Sequence, residues 1–257
     1  MLTKTVKITR LENNAREEKQ DIIVSEVPIQ IILNGTELAT ILASPDQLKE
    51  LGLGFLFTEG FIDSLSEIEK FEQKQNSLYF TIAADKFSQK EKIQKYITSG
   101  CGRGASFAIA LKSLKQKKNS RSAKTSISAD QISELMKEFQ KKSEVFLTTG
   151  GVHSAALTSA KEILFFTEDI GRHNAVDRAI GLALTNQVKL TDKFLLTSGR
   201  ISSEIVRKVA EADIPVLISR SAPTDRALEF AQELQVTTIG FARGQKMNIY
   251  THPERIK

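Results

Sequence analysis

The sequence predicts an α/β protein: a small mixed unit followed by a sheet flanked by helices. Three observations carry this. An Asn-Gly dipeptide sits between two apolar runs, Ile29–Leu33 and Glu37–Leu42, a strong hairpin signal. The second half of the chain alternates short apolar runs with helical stretches, the pattern of a sheet covered by helices. Each apolar run there leads into a turn of small and polar residues, where such folds collect their ligands.

In order, Asn34-Gly35-Thr36 closes the hairpin. In Ser44-Pro45-Asp46-Gln47, the spacing predicts a capping box, with Ser44 as N-cap, Pro45 at the first helical position and Gln47 reaching back. The helix that follows places Leu48, Leu51 and Phe55 on one face and ends near Gly60. A strand at 77–83 and a short helix at 91–97 lead to a cysteine loop. Residues 112–124 are polar, basic and almost without large apolar side chains, so they read as a solvated linker between two units, 1–118 and 125–257. Beyond it, a helix at 129–142 precedes the apolar run 144–148. Strands are expected at 163–167, 194–197, 215–219 and 236–241, with helices at about 173–185, 202–212 and 224–234. No repeat of fixed period occurs.

The chain has 257 residues, 40% hydrophobic and 26% charged, enough for a substantial core and ordinary for a soluble globular protein. No apolar run reaches the length of a membrane span, and Met1–Lys7 lacks a hydrophobic signal segment. A single cysteine excludes an intramolecular disulfide and any zinc site needing two cysteines from this chain, and it suits the cytoplasm. The net charge of +5 favours an anionic ligand without demanding nucleic acid. With no Trp and only three Tyr, there is little material for a base-stacking platform, although 14 Phe keep one open.

That cysteine, Cys101, lies in Ser99-Gly100-Cys101-Gly102-Arg103-Gly104-Ala105-Ser106. Three glycines leave the thiol uncrowded on a pliant backbone, and Arg103 favours the thiolate, the reactive form. The alternative is a small buried hydrophobe. The turns of the second half form the other constellation: Thr148–Ser154 with Gly150 and His153, Glu168–Asp177 with Arg172 and His173, Thr197–Glu204 with Ser198 and Arg200, Ser219–Thr224 with Arg220, and Gly240–Lys246 with Arg243. Guanidinium groups at strand ends, beside helix N-termini, suit a polyanionic ligand. The competing reading is that these arginines pair with Asp169, Asp177, Glu204 or Asp225. His153 and His173 can serve proton transfer or structure, and His252 reads as incidental. There is no G-x-S-x-G elbow and no phosphate loop of the G-x-x-x-x-G-K-[ST] type.

Taken together, Thr58–Ile62, Ser99–Ser106, Thr149–His153, Glu168–Asp177, Ser198–Glu204, Ser219–Thr224 and Gly240–Lys246 resemble the FdhD family of formate dehydrogenase accessory sulfurtransferases. Glu168-Asp169-Ile170-Gly171-Arg172-His173-Asn174-Ala175-Val176-Asp177 is the most specific segment. The resemblance implies a cytidine-deaminase-like three-layer core with a smaller α+β N-terminal domain, and a homodimer. It implies a sulfur carrier that takes persulfide sulfur from a cysteine desulfurase. The sulfur then passes to the bis-molybdopterin guanine dinucleotide cofactor of molybdenum (or tungsten) before insertion into formate dehydrogenase. By the same resemblance Cys101 carries the persulfide, and Phe241-Ala242-Arg243-Gly244-Gln245-Lys246 binds the cofactor, with GDP as a possible analogue of one arm. The deaminase zinc signature is absent; no metal ligands, nucleic acid or membrane partner are expected. Many members of the family carry C-x-x-C where this chain has Cys101 and Gly104, so a dithiol step is impossible here. Two other functions fit the residues: a non-catalytic chaperone for the cofactor, and a thiol hydrolase pairing Cys101 with His153 or His173.

Overall fold

The computed structural model describes residues 2–87 and 125–257. The expected helix at 91–97, the cysteine loop with Cys101 and the basic stretch 112–124 lie outside the described residues.

Two long strands, β1 (Thr3–Glu12) and β2 (Ala15–Val24), pair as an antiparallel ribbon. The Asn-Gly signal produces the hairpin of β3 (Val27–Leu33) and β4 (Thr36–Ala43). Asn34 and Gly35 both have positive φ, 48° and 80°, as a type I′ turn requires. β5 (Lys70–Lys74) and β6 (Ser77–Thr81) complete a mixed sheet in the order β4-β3-β6-β5, with β6 parallel to β3.

Helix α1 (Leu48–Thr58) crosses this sheet, but not as an amphipathic surface helix. Leu51, Leu53 and Leu56 are buried together with Gly52, Gly54 and Thr58, because one side lies on the small sheet and the other on a second helix. The predicted capping box at Ser44 does not form. Gln47, with φ 43°, occupies the N-cap instead. Ser44 is drawn into a tertiary contact: its N–H donates to Asp169, its hydroxyl accepts from the Ile170 N–H, and its carbonyl accepts from Arg178. The helix stops at Gly60, whose φ of +78° suits a glycine after a C-cap.

The second sheet has six strands in the order β12-β11-β10-β9-β7-β8. They are β7 (His153–Thr158), β8 (Ile163–Asp169), β9 (Phe194–Thr197), β10 (Val216–Ser219), β11 (Thr237–Arg243) and β12 (Lys246–Thr251). Strands β9, β10 and β11 are mutually parallel, whereas β7, β8 and β12 run antiparallel to their neighbours. Side-chain alternation sends Ala155, Leu157, Leu195 and Leu217 to one face, under α4 (Arg172–Thr185), α5 (Ser203–Glu211) and α6 (Asp225–Glu233). Ala156, Phe194, Leu196, Val216 and Ile218 face α2 (Ala129–Lys141). Ser128 and Gln131 form a complete capping box at the start of α2.

Two expectations need correction. The apolar run 144–148 is not a strand feeding the first turn but a short helix, α3 (Glu144–Thr149). The strand there starts after the turn, at His153. The last strand does not end at 241: it continues to Arg243 and turns back into β12, so 241–246 is the tip of a hairpin with register shifts rather than a loop.

The two sheets are joined through α1 and α4. A Cβ on Gly54 would fall into the Asp177 carbonyl, and one on Gly181 into the Glu50 carbonyl. The glycines therefore let the two helix backbones touch. The molecule is thus a stack of small sheet, α1, α4, large sheet and α2.

Candidate functional site: a cationic cavity at the strand ends

At the C-terminal ends of β9 and β10 lies a cavity of about 500 Å³. Ser198 follows β9, Arg220 and Ser221 follow β10, and Arg243 closes β11. His153 and Ser154 enter from the start of the antiparallel β7, with Gly150 and Gly151 just before them. Phe146 and Leu147 of α3, with Val152 and Ile170, add apolar lining, and Gln140 and Ser143 add polar lining. Pockets of this kind, at the carboxyl ends of parallel strands, are the usual ligand sites of such sheets.

The polar wall is held by short local bonds. Ser219 Oγ donates to the Gly199 carbonyl at 2.6 Å and accepts from the Ser221 N–H at 2.9 Å. Ser198 Oγ accepts from the Ser154 N–H at 2.9 Å and lies 3.3 Å from His153 Nδ1. Arg243 Nε donates to the Arg220 carbonyl at 3.1 Å, tying the ends of β10 and β11 together. Burial, with the Arg172 guanidinium beside it, keeps the His153 pKa below the usual imidazole range. Burial and Arg172 also push His173 down to about 4, against the pull of Glu204. Its Nε2, 3.0 Å from the Glu204 carboxylate, is therefore a neutral donor near pH 7.

The charges around the site are divided in an informative way. Asp169 is taken by Arg178 (2.7 Å), Asn174 and the N–H groups of Ser44 and Gly171. Asp177 is taken by Lys208, 2.9 Å from both carboxylate oxygens, and by Thr58 at 2.6 Å. Glu59 takes Lys208 and Arg207. Glu168 accepts the N–H groups of Val145 and Phe146, both at 3.0 Å. Among the described residues, none of Arg172, Arg200, Arg220 and Arg243 forms an ion pair. Moreover, the Nε groups of Arg172 and Arg220, like those of the core residues Arg178 and Arg255, are buried without a hydrogen-bond partner among the described residues. A buried guanidinium N–H left unmet is costly unless a ligand supplies the acceptor.

Residues 24–257 match the model of the FdhD/NarQ family. The chain belongs to that family. It is 42% identical over 243 residues to the sulfur carrier protein FdhD of Bacillus pumilus, covering 93% of this chain and 91% of the relative. Identity to the sulfur carrier protein FdhD of Bacillus subtilis is 38% over 258 residues, 97% of this chain and 96% of the relative. In fold, the chain matches over its whole length the crystal structure of a protein described as a formate dehydrogenase accessory protein from Desulfotalea psychrophila, with a TM-score of 0.80 at 24% identity.

Within this FdhD/NarQ chain, the structure brings together Gly150, His153, Ser198, Arg220 and Arg243 around one cavity. Ser219 sits behind the lining as a turn-former. Arg172 packs its aliphatic stem on Gly199 and exerts its charge on both histidines. His173 is turned to Ser202 and Glu204, and Arg200 is exposed outside the lining. In the 241–246 hairpin the roles diverge. Arg243 alone faces the cavity; Ala242 is buried under α2. Phe241 is exposed with a left-handed φ of 51°, its ring 5.9 Å from the Arg243 guanidinium. Gly244 and Gln245 line a separate cleft of about 290 Å³ with Glu134, Lys137 and Gln140. Lys246 is exposed and opposite Arg243 in the strand register. Cys101 lies outside the described residues, so its distance from the cavity is not part of the geometry. Sequence reasoning missed the α3 wall. Phe146 and Leu147 were hidden in what looked like a strand.

The chemistry of motif Glu168–Asp177 is also not what the sequence suggested. Its acids and Arg178 lock α4 to α1 and to the start of α3, while Arg172 packs on Gly199 and His173 turns to Ser202 and Glu204. No group of three or more His, Cys, Asp or Glu suited to a metal occurs among the described residues. No described helix is long and apolar enough to cross a membrane.

Proposed function

We propose that this protein carries sulfur for formate dehydrogenase maturation, taking it from a cysteine desulfurase and passing it to a bis-molybdopterin guanine dinucleotide complex of molybdenum or tungsten held in the cavity. The observation that carries the reading is a cavity lined by Arg220 and Arg243, neither in an ion pair among the described residues, with the buried Nε–H of Arg220 lacking an acceptor among them. A pyrophosphate supplies anionic acceptors, and arginine meets it with paired, charge-assisted hydrogen bonds. The metal complex is here the substrate, one guanosine diphosphate arm of it matching the cavity's chemistry.

Sulfur loading falls to Cys101, the only thiol in the chain. The Cys101 thiolate attacks the outer sulfur of the desulfurase persulfide. A new S–S bond forms at Cys101, the old one breaks, and the desulfurase cysteine leaves as its thiolate. With one cysteine, the carrier returns to its resting state by handing the sulfur on, not by closing a disulfide. The family names of the relatives support sulfur carriage and the link to formate dehydrogenase. The cytidine-deaminase-like description of the larger unit, the division into 1–118 and 125–257, the homodimer and the cytoplasmic setting belong to the same proposal.

The test has two arms. Incubated with a cysteine desulfurase and cysteine, the protein should gain the mass of sulfur at Cys101, removable by reductant, and Cys101→Ser should gain none. GDP should bind and raise the melting temperature, since a ligand selective for the folded state stabilises it by about 2.7 kcal/mol at a hundredfold excess over Kd. If Cys101→Ser still supports formate dehydrogenase in full, the sulfur-carrier reading falls and a pure cofactor chaperone takes its place. If GDP neither binds nor shifts the transition, the cavity is not the nucleotide site.

A further inference from the structure

Helix α3 is unusual for what it does not bury. It has six residues, none of them buried, and it carries Phe146 and Leu147 at 45% and 70% exposure. Helices this short are not stable by propensity, and apolar burial does not hold this one. Hydrogen bonds hold it instead. Glu168 accepts both leading N–H groups at 3.0 Å, the Thr149 hydroxyl donates to the Val145 carbonyl at 2.7 Å, and Gly150, with φ 65°, caps the end. The structure therefore fixes an aromatic and an aliphatic side chain in water at the edge of a cavity whose other wall is Ser198, Arg220, Ser221 and Arg243.

From this mixed lining we infer that Phe146 is the stacking surface for the purine ring of the bound nucleotide, with Leu147 beside it, while Arg220 and Arg243 take the phosphates. The inference rests on the proposed nucleotide site and assigns its specificity. A cavity with a cationic wall alone would accept any phosphate. One that also holds an exposed phenyl ring in its lining selects an anion attached to a flat ring, because a base stacks on an aromatic face through its π surface. Phe146 is also the only phenyl of the lining with substantial exposure, since Phe139 is 1% exposed and belongs to the core under α2.

Calorimetric titration of the full chain with GDP and with inorganic pyrophosphate separates the two walls. The wild type should bind GDP more tightly than pyrophosphate. Phe146→Ala should weaken GDP by about fivefold to a hundredfold, the range expected from one lost base stack, and leave pyrophosphate unchanged. Phe146→Tyr, which keeps the ring, should bind GDP as the wild type does. Phe146 is half exposed, so an unchanged melting temperature for Phe146→Ala is expected and shows that the fold is intact. Wild-type GDP affinity in Phe146→Ala, or an equal loss for GDP and pyrophosphate, overturns the stacking assignment while leaving the phosphate site standing. A wild-type protein that binds neither compound overturns the nucleotide site itself.

Discussion

Replacing Glu59 by glutamine should cost about 3 kcal/mol at neutral pH and nothing near pH 2. Glu59 is the C-cap of α1, and its carboxylate accepts from Arg207 at 2.6 Å and from Lys208 at 2.7 Å. Burial alone would raise its pKa, but the two cations beside it outweigh burial and hold it at about 2 against an ordinary 4.5. Its side chain is 23% exposed, so solvent screens these contacts only in part. A carboxylate so displaced stabilises the folded state by about 3 kcal/mol once ionised. The sign follows from the direction: the folded state holds the proton less tightly than the unfolded chain. The stabilisation is therefore complete above about pH 4.5 and is lost as pH falls toward 2. Glutamine is a fair copy of the protonated acid, in size and in its carbonyl acceptor. The gap between wild type and Glu59→Gln is thus the same linkage energy, read at constant pH. Urea unfolding at pH 7, 4.5 and 3 would measure it. The gap should be largest at pH 7 and shrink stepwise in acid. A gap that is absent at pH 7, or constant across the three, would refute the claim that the two cations stabilise the ionised form.

Two further outcomes are expected. Arg243→Ala should weaken GDP by about tenfold to a hundredfold, the cost of losing a charge-assisted hydrogen bond, while Cys101 still loads sulfur at the normal rate; calorimetry and mass spectrometry on one preparation check both halves. Gly181→Ala should destabilise toward the upper end of the about 1–3 kcal/mol typical of overpacking, because the obstacle is the backbone carbonyl of Glu50 and not a movable side chain; the denaturant midpoint reports it.

Much of the architecture was legible wherever local chemistry had no tertiary rival. Asn34-Gly35 announced its hairpin, the run 129–142 its helix, and the alternation from 163 onward the large sheet. Reading failed where a distant partner outbid a local one. Ser44 was set to cap α1, but Asp169 and Arg178 claim its N–H and carbonyl across more than a hundred residues of sequence. Residues 144–148 look like a strand because they are apolar. They are helical because Glu168 satisfies their leading amides, a bond no window of sequence contains. The amphipathic face expected for α1 was similarly incomplete. Gly54 reads as a weak point in a helix, yet it is what admits the backbone of α4.

The same partition explains how one motif locks the fold and leaves the strand-end arginines without acidic partners among the described residues. The arginines of the strand-end turns could have been neutralised by Asp169, Asp177 and Glu204, which lie near them in sequence. Instead Arg178 and Lys208, placed on the inner faces of α4 and α5, take Asp169 and Asp177 inside the core, and His173 takes Glu204. Buried acids of this kind contribute little net stability against their desolvation, but removing one partner is severe, so the lock between α1, α4 and α5 is specific more than strong. Its consequence lies on the other side of the sheet. With these acids already partnered, Arg172 and Arg220 keep buried Nε donors that find no acceptor among the described residues, and the strand ends carry positive charge that no described acid neutralises. The motif that sets the fold thereby also sets the sign of the site.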